Sequence, residues 1–341
     1  MTPTLTPQTR PATREALREI ARLPDGPALS VIFNLDPREF GTAPARATAI
    51  RSLQDDVRRS AGDELQDEAD AVMTYLQGGE FDQSKGRAVA LFASSEAGYF
   101  ETMMLPEPLP TSVAALPYPG MAPVAHLMAA ETWCVALVDR AAARILTGTA
   151  RDLQEFEDAD DDVHRRHSAG GGSQARWERS VEVEVDRHLE HVAEVITRAW
   201  RRGFDRLALG ATAEMEPRTL DALGGDERGR YSGRFDVDVQ NTTVEEVADA
   251  AGVLFAMRDW ERIREALGRA ASRAGDGLSA SGPENVSSAL EQMRVATLVV
   301  DPSLDRASFF VRQAALQDAV VLTAPAEPLR EHQGAVAVLR F

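Results

Sequence analysis

Two hydrophobic periods alternate between residues 132 and 211, and that alternation constrains the fold more than any other feature. TWCVALVDR (Thr132–Arg140) and AARILTG (Ala142–Gly148) are short apolar runs joined by a turn, with a third candidate strand at Leu153–Glu157. From Gln174 to Arg202 the residues Val181, Val185, Leu189, Val192, Ile196 and Trp200 recur at spacings of three and four, which is one face of a long helix. FDRLALGA (Phe204–Ala211) reads as a buried strand, and GRFDVDVQ (Gly233–Gln240) alternates like an exposed one. A strand hairpin, a long helix, then strand, helix and strand make an α/β layer architecture.

The flanking segments repeat the pattern. A polar helix near Thr13–Arg22 precedes the buried strand LSVIFNL (Leu29–Leu35); Asp36-Pro37 breaks it, and Pro44–Ser60 reads as a helix. Gly86–Phe92 and Tyr99–Met104 suggest a hairpin across Ser94–Gly98. The tract LPEPLPTSVAALPYPGMAP carries six prolines and is expected to form a covering arm and linker without sustained regular structure. Thr243–Ser272 reads as a charge-laced helix able to join two domains, closed by a loop at Gly275–Gly282. After it come a helix (Glu284–Gln292), a strand (Val295–Val300), a helix (Ser308–Ala315) and two strands (Ala319–Thr323, Ala335–Phe341), a small α/β sandwich. At 341 residues the chain suits two or three domains. The expected boundaries are 1–128 for an N-terminal α/β domain with its proline-rich linker, 129–250 for the middle domain, and 251–341 for the linker helix and C-terminal domain.

Composition narrows the function. No run of about eighteen uninterrupted apolar residues exists, which argues against a membrane span, and the N-terminus lacks a signal-peptide pattern, so a cytoplasmic location is expected. One cysteine, Cys134, excludes internal disulfides and cysteine-rich zinc sites; it lies in a strand and reads as a small core residue. The net charge is −17, which opposes nucleic-acid binding unless basic groups cluster locally. Lys85 is the only lysine against thirty-six arginines, a coding bias that by itself says nothing about RNA.

Clustering does occur around residues 155–179. Six acids and no bases lie between Glu155 and Asp162, whereas Arg165, Arg166, Arg176 and Arg179 face only Glu178 between His164 and Arg179, with His167 beside them. Between the arginine pairs lies Ala169-Gly170-Gly171-Gly172-Ser173-Gln174. Successive glycines carry no side chain and adopt backbone angles closed to other residues. Because a helix opens directly afterwards, the amides of the run and the helix N-terminus present donors to an anion. A flexible Gly/Ser connector is the plain alternative. A Walker-type phosphate loop is excluded because no Gly-Lys-Ser/Thr follows, and a dinucleotide fingerprint fails because the glycines follow a charged loop and not a strand.

Gly171-Gly172-Ser173-Gln174-Ala175-Arg176, followed by Trp177-Glu178-Arg179, resembles the Gly-Gly-Gln loop and downstream helix of the archaeal and eukaryotic class I release factors and their relatives. The segment ALEQMRVATLVV and the closing GAVAVLRF resemble the C-terminal domain shared by those factors and Pelota, and the strands at Cys134–Arg140 and Ala143–Gly148 resemble their RNase H-like middle domain. The bacterial release-factor-like proteins, with a middle domain allied to the Vms/Ankzf peptidyl-tRNA hydrolases, are the nearest branch; Asn34-Leu35-Asp36-Pro37-Arg38-Glu39-Phe40 resembles that branch alone. The resemblance implies a three-domain α/β protein that enters the ribosomal A site and reaches the peptidyl-transferase centre. It would act there on peptidyl-tRNA without a cofactor or metal, beside a translational GTPase such as EF-Tu, and with neither membrane nor DNA as partner. Gln174 would position a water and stabilise an oxyanion, Gly171, Gly172 and Ser173 would let the backbone approach the ester, and Arg165, Arg166, Arg176, Arg179, His164 and His167 would contact RNA. Ser173 gives Gly-Gly-Ser-Gln, nearer the Gly-x-x-Gln spacing of the Vms/Ankzf type, and no Asn-Ile-Lys-Ser is present for reading stop codons.

Two rivals compete with hydrolysis. Bacterial relatives of the Balon kind protect idle ribosomes without catalysis, and they lack the glutamine-bearing loop. A metal-dependent nuclease would draw on Asp139, Asp160–Asp162, Glu182, Asp186 and Asp205, but Glu182 and Asp186 lie one turn apart on a helix with a solvent face. The pairs His188/His191 and His164/His167 have no matching carboxylate or cysteine spacing for a metal.

Overall fold

The computed structural model describes residues 5–79, 81, 86–156 and 174–341, with side chains in the last stretch from Glu182 onward. The chain divides into two compact units, one of Met1–Ala129 with Arg262–Phe341, the other of Ala130–Glu261.

The first unit opens with β1 (Gln8–Arg10), α1 (Arg14–Ala21), β2 (Ala28–Asn34), a short α2 (Pro37–Phe40), α3 (Ala43–Ala61) and α4 (Gln66–Gly78). β3 (Ala88–Ser94), β4 (Tyr99–Leu105) and β5 (Ser112–Leu116) complete a sheet of order β1-β4-β3-β2-β5. α1 starts where Thr13 accepts a hydrogen bond from the Ala16 amide, an N-cap that satisfies one of the orphan N–H donors at a helix start. The β3–β4 hairpin has Ser94 opposite Tyr99, as the sequence suggests. β2 is buried on both faces, and its period of two separates them. Leu29, Val31 and Phe33 join Ile50, Leu53 and Val57 of α3 and Val72 and Leu76 of α4, whereas Ala28 and Ile32 face a second core containing Leu17 and Ile20 of α1.

The proline-rich tract departs from expectation. Ser112–Leu116 is an edge strand antiparallel to β2, bracketed by Pro110 and Pro117. The following residues Ala122–Ala129 form a 3-10 helix with Met121, Val124, Ala125, Leu127 and Met128 in the core. The prolines punctuate this segment without occupying the strand itself, which an edge position permits.

The middle unit holds β6 (Thr132–Val138), β7 (Ala143–Thr149), β8 (Asp152–Glu155), α5 (Gln174–Arg202), β9 (Arg206–Ala211), α6 (Met215–Ala222), a short α7 (Gly225–Arg228), β10 (Tyr231–Phe235) and the first part of α8 (Val244–Arg273). Its sheet runs β10-β9-β6-β7-β8, with β9 parallel to β6 and β10, and the β6–β7–β8 pairs antiparallel. α5 covers one face, setting Val185, Leu189, Val192, Val195, Ile196 and Ala199 on Cys134, Ala136, Leu207 and Leu209. α8 covers the other, with Val247, Ala251 and Phe255 on Trp133, Val135 and Ala208; the Trp133 and Phe255 rings lie 4.6 Å apart. Gly148 makes the β7–β8 turn possible: its φ is +147°, and a Cβ there would meet the Asp152 carbonyl oxygen at 1.9 Å. The last strand ends earlier than its alternation implies, because Asp238 accepts the Gln240 and Asn241 amides at 3.0 and 3.2 Å and turns the chain.

The first unit is completed by the end of α8 and by β11 (Ser279–Ser281), α9 (Pro283–Glu291), β12 (Val295–Val300), α10 (Ala307–Leu316), β13 (Val320–Thr323) and β14 (Ala335–Leu339). This sheet has order β11-β14-β12-β13, β12 and β13 parallel. Val299, Leu322, Val336 and Val338 pack on Ile263, Ala266 and Ala270 of α8. The opposite face, through Val286, Leu290, Phe310 and Val311, merges with the core that holds α1 and Met121–Met128. Three sheets, each flanked by helices, make this an α/β protein.

Candidate functional site

The segment that the sequence marks as the candidate site is reached from β8 and left through α5. Phe156, the last described residue before it, donates its amide to the Ile145 carbonyl at 2.8 Å, and its ring lies 4.7 Å from the Arg202 guanidinium carbon. One residue earlier, Glu155 is held by Arg144, whose Nε lies 3.0 Å from the carboxylate. The entry to the segment is therefore tied to the sheet. His164, Arg165, Arg166, His167, Gly171, Gly172 and Ser173 lie outside the described residues. Gln174 is the first residue of α5, and Arg176 and Arg179 follow in its opening turns.

α5 runs for 29 residues. Its first side chain described as buried is Val185; Glu182, Val183 and Glu184 before it are exposed. Gln174 precedes Val185 by eleven residues, about 16 Å along a helix axis rising 1.5 Å per residue. The described support nearest this end is Arg218 of α6, whose Nη2 lies 2.9 Å from both Glu182 and Asp186. Those carboxylates raise the guanidinium pKa, the hydrogen bond that Arg218 donates to Asp186 contributing most. Arg218 was not among the residues singled out in the sequence. Nothing distinguishes it there from thirty-five other arginines, because its importance comes from a helix–helix approach between α5 and α6.

The acids that suggested a nuclease are engaged elsewhere. Asp139 accepts the Ala141 and Ala142 amides at 2.7 and 2.6 Å and so shapes the β6–β7 turn. Asp205 accepts from the Thr132 amide and hydroxyl at 2.9 and 3.0 Å. Glu182 and Asp186 share Arg218. Among the described residues no group of three or more His, Cys, Asp and Glu side chains can hold a metal; Asp160–Asp162 lie outside them. His188 and His191 do not make a ligand pair either. The His188 ring is hydrogen-bonded to the backbone of Ala142 and Asp139, and His191 lies 3.8 Å from Glu194. Cys134 is fully buried, which pushes its thiol pKa up and leaves it an inert core residue. No helix of the described residues is long and apolar enough to cross a membrane.

Residues 122–254 match the family model of bacterial archaeo-eukaryotic release factor family 10. No curated protein matches the sequence. Solved structures of translation factors are similar at low identity. An archaeal translation termination factor, aRF1, is 17% identical over 98% of this chain and 99% of that chain, with a TM-score of 0.27. Pelota from Archaeoglobus fulgidus is 12% identical over 97% and 93%, at 0.37. Archaeal Pelota, from a model of ribosome-bound Pelota and ABCE1, is 13% identical over 97% and 95%, at 0.42.

Proposed function

We propose, on the premise that this chain is of the archaeo-eukaryotic release-factor and Pelota superfamily, as the match over residues 122–254 supports, that it is a ribosome-binding translation factor that hydrolyses the ester of peptidyl-tRNA. The observation that carries this reading is the position of Gln174. It directly follows Gly171-Gly172-Ser173 and is the first residue of α5, eleven residues and about 16 Å along the helix axis ahead of the buried Val185. A carboxamide at such an end can be delivered into a narrow site while the sheet stays outside it.

The chemistry asks little of the protein. Water attacks the ester carbonyl, the carbon–oxygen bond to the terminal ribose breaks, and the peptide leaves as a carboxylic acid while the tRNA regains its hydroxyl. A glutamine amide is neutral and takes no proton, so its part is to orient the water; a backbone amide beside it donates to the oxyanion as charge develops. One such donor is worth about a hundred- to a thousandfold in rate. Arg165, Arg166, Arg176 and Arg179, with His164 and His167, face RNA phosphates in this reading, and the peptidyl-transferase centre supplies the rest of the site. The A site is the docking place, and a translational GTPase such as EF-Tu is a candidate carrier. The RNase H-like character of the middle domain, the partition at 128/129 and 250/251, and a role in ribosome rescue belong to the same proposal.

The test is to incubate stalled ribosomes bearing a labelled nascent chain with the protein. The expected result is co-sedimentation with ribosomes and release of the peptide, with tRNA of unchanged length on a denaturing gel and no dependence on divalent metal beyond what the ribosome needs. Shortened tRNA would establish a nuclease. Binding without release, unaltered by Gln174→Ala, would establish a protective factor of the hibernation kind.

A further inference from the structure

Seven large apolar side chains are exposed among the described residues, and three of them share one helix: Val253 (69% exposed), Met257 (55%) and Trp260 (43%), all on α8. Spacings of four and three place them in a single stripe. Ala250 and Ala256, also exposed, lie beside them and leave room for an indole ring. The buried positions of α8 are different ones, Val247, Ala251, Phe255, Ile263, Ala266 and Ala270, so the stripe is not the core face of the helix. Exposed apolar side chains scattered singly need no explanation, but three in a row on one helix mark an interaction surface.

The charges at the two ends of the stripe indicate what covers it. Asp249 stands four residues before Val253, and Arg264 four residues after Trp260. Both are exposed, and neither is paired among the described residues. Their neighbours are already engaged: Glu246 caps the helix start through Thr243, and Arg258 bonds Glu131 and Glu261. The order acid, Val, Met, Trp, arginine is self-complementary when reversed. If a second α8 runs antiparallel across the first, Asp249 meets Arg264, Val253 meets Trp260, and Met257 meets its own copy. A parallel arrangement sets Asp249 against Asp249 and Arg264 against Arg264, which repels at both ends.

We infer that this stripe is an isologous contact, in which a second copy of the chain docks antiparallel along α8 about a two-fold axis near Met257. Three apolar side chains from each copy and two ion pairs in all make a small interface, below the roughly 1,000 Å² expected of a stable one. The dimer is therefore weak, with a dissociation constant on the order of tens of micromolar, and it forms at high local concentration. This inference is independent of the ribosomal reading.

Sedimentation equilibrium of the full chain across about 1–300 μM tests it. A reversible monomer–dimer equilibrium is expected, weakened at least about tenfold by Trp260→Glu. Asp249→Arg alone and Arg264→Asp alone each weaken it as well, and the two together restore it, since each copy then presents the swapped pair. Circular dichroism confirms that each variant is folded, and the two charge variants alter only exposed side chains. A monomer at every concentration overturns the inference, whatever else then covers the stripe. A dimer indifferent to Trp260→Glu, or a double swap that fails to restore what the single changes lose, overturns it equally.

Discussion

His188 shows how one side chain ties a helix to a turn and how pH reports on it. The ring, half buried on α5, is hydrogen-bonded to the backbone of Ala142 and Asp139, and its Nε2 has no partner among the described residues. Burial lowers its pKa below the ordinary 6.5, against the smaller opposing effect of those backbone hydrogen bonds and the Asp139 charge. Below about pH 6.5 the unfolded chain takes up a proton that the folded protein still refuses, so stability falls as the solution is acidified. The fall ends once the folded ring is protonated too. Replacing His188 with Gln removes this contribution: between pH 8 and pH 5 the melting temperature of the wild type should drop more than that of His188→Gln. Parallel slopes for the two proteins would show that the ring is not held neutral. The sequence shows an i, i+3 histidine pair; it cannot show that one ring turns to the backbone while the other stays beside Glu194, because that depends on the β6–β7 turn arriving next to the helix.

The element on which most depends is α5. Its period is explicit in the sequence, and its span, Gln174–Arg202, coincides with the helix read there. How it is held is not explicit. α6 braces it through Arg218, which spans Glu182 and Asp186 one turn apart. Surface ion pairs are individually weak, about 0–1 kcal/mol, so Arg218→Ala should leave the fold intact. It should instead loosen the part of α5 ahead of Val185, raising amide hydrogen exchange there and lowering peptide release several-fold at saturating ribosomes, with Arg218→Lys partly restoring it. Unchanged exchange in that stretch would mean the brace does not matter.

Other elements mark where local patterns mislead. Ala69, Val72, Met73 and Leu76 carry the helical spacing of α4 and bury as it demands, a signal that five acids between Asp63 and Asp70 obscure in the sequence. The six prolines near Ser112–Leu116 had the opposite effect, hiding a strand whose existence depends on an edge that only the folded sheet provides. The glycine–glutamine segment is proposed as a site from its residues alone; around it the structure describes Phe156 before and Gln174 as the first residue of α5.

At the scale of the molecule, the two ends of the chain share a core. Arg312 of α10, itself 6% exposed, donates to the Ala21 carbonyl at 2.9 Å and the Leu23 carbonyl at 2.8 Å and also meets Asp25, nearly three hundred residues away in sequence. Phe310 and Val311 beside it belong to the same cluster as Leu17 and Ile20. No periodicity encodes a pairing of that range; it exists because the helical face of the C-terminal sheet needs an apolar cover and α1 supplies one. Arg312→Ala strands the buried Ala21 carbonyl and the part-buried Leu23 carbonyl and should cost about 2–4 kcal/mol. Hydrogen exchange in rising denaturant should then show β3 and β12 losing protection together and earlier than in the wild type. Loss confined to one of them would mean the ends fold separately.

The central claim is that Gln174 at the start of α5 makes a ribosome-bound protein a hydrolase. Its most direct measurement is the single-turnover rate of nascent-chain release from stalled ribosomes by the wild type and by Gln174→Ala at saturating protein, with ribosome binding recorded in the same samples. Release lowered at least about a hundredfold at unchanged binding, the cost of misplacing the attacking water, is the predicted result; equal release by both proteins, or none by either, contradicts it.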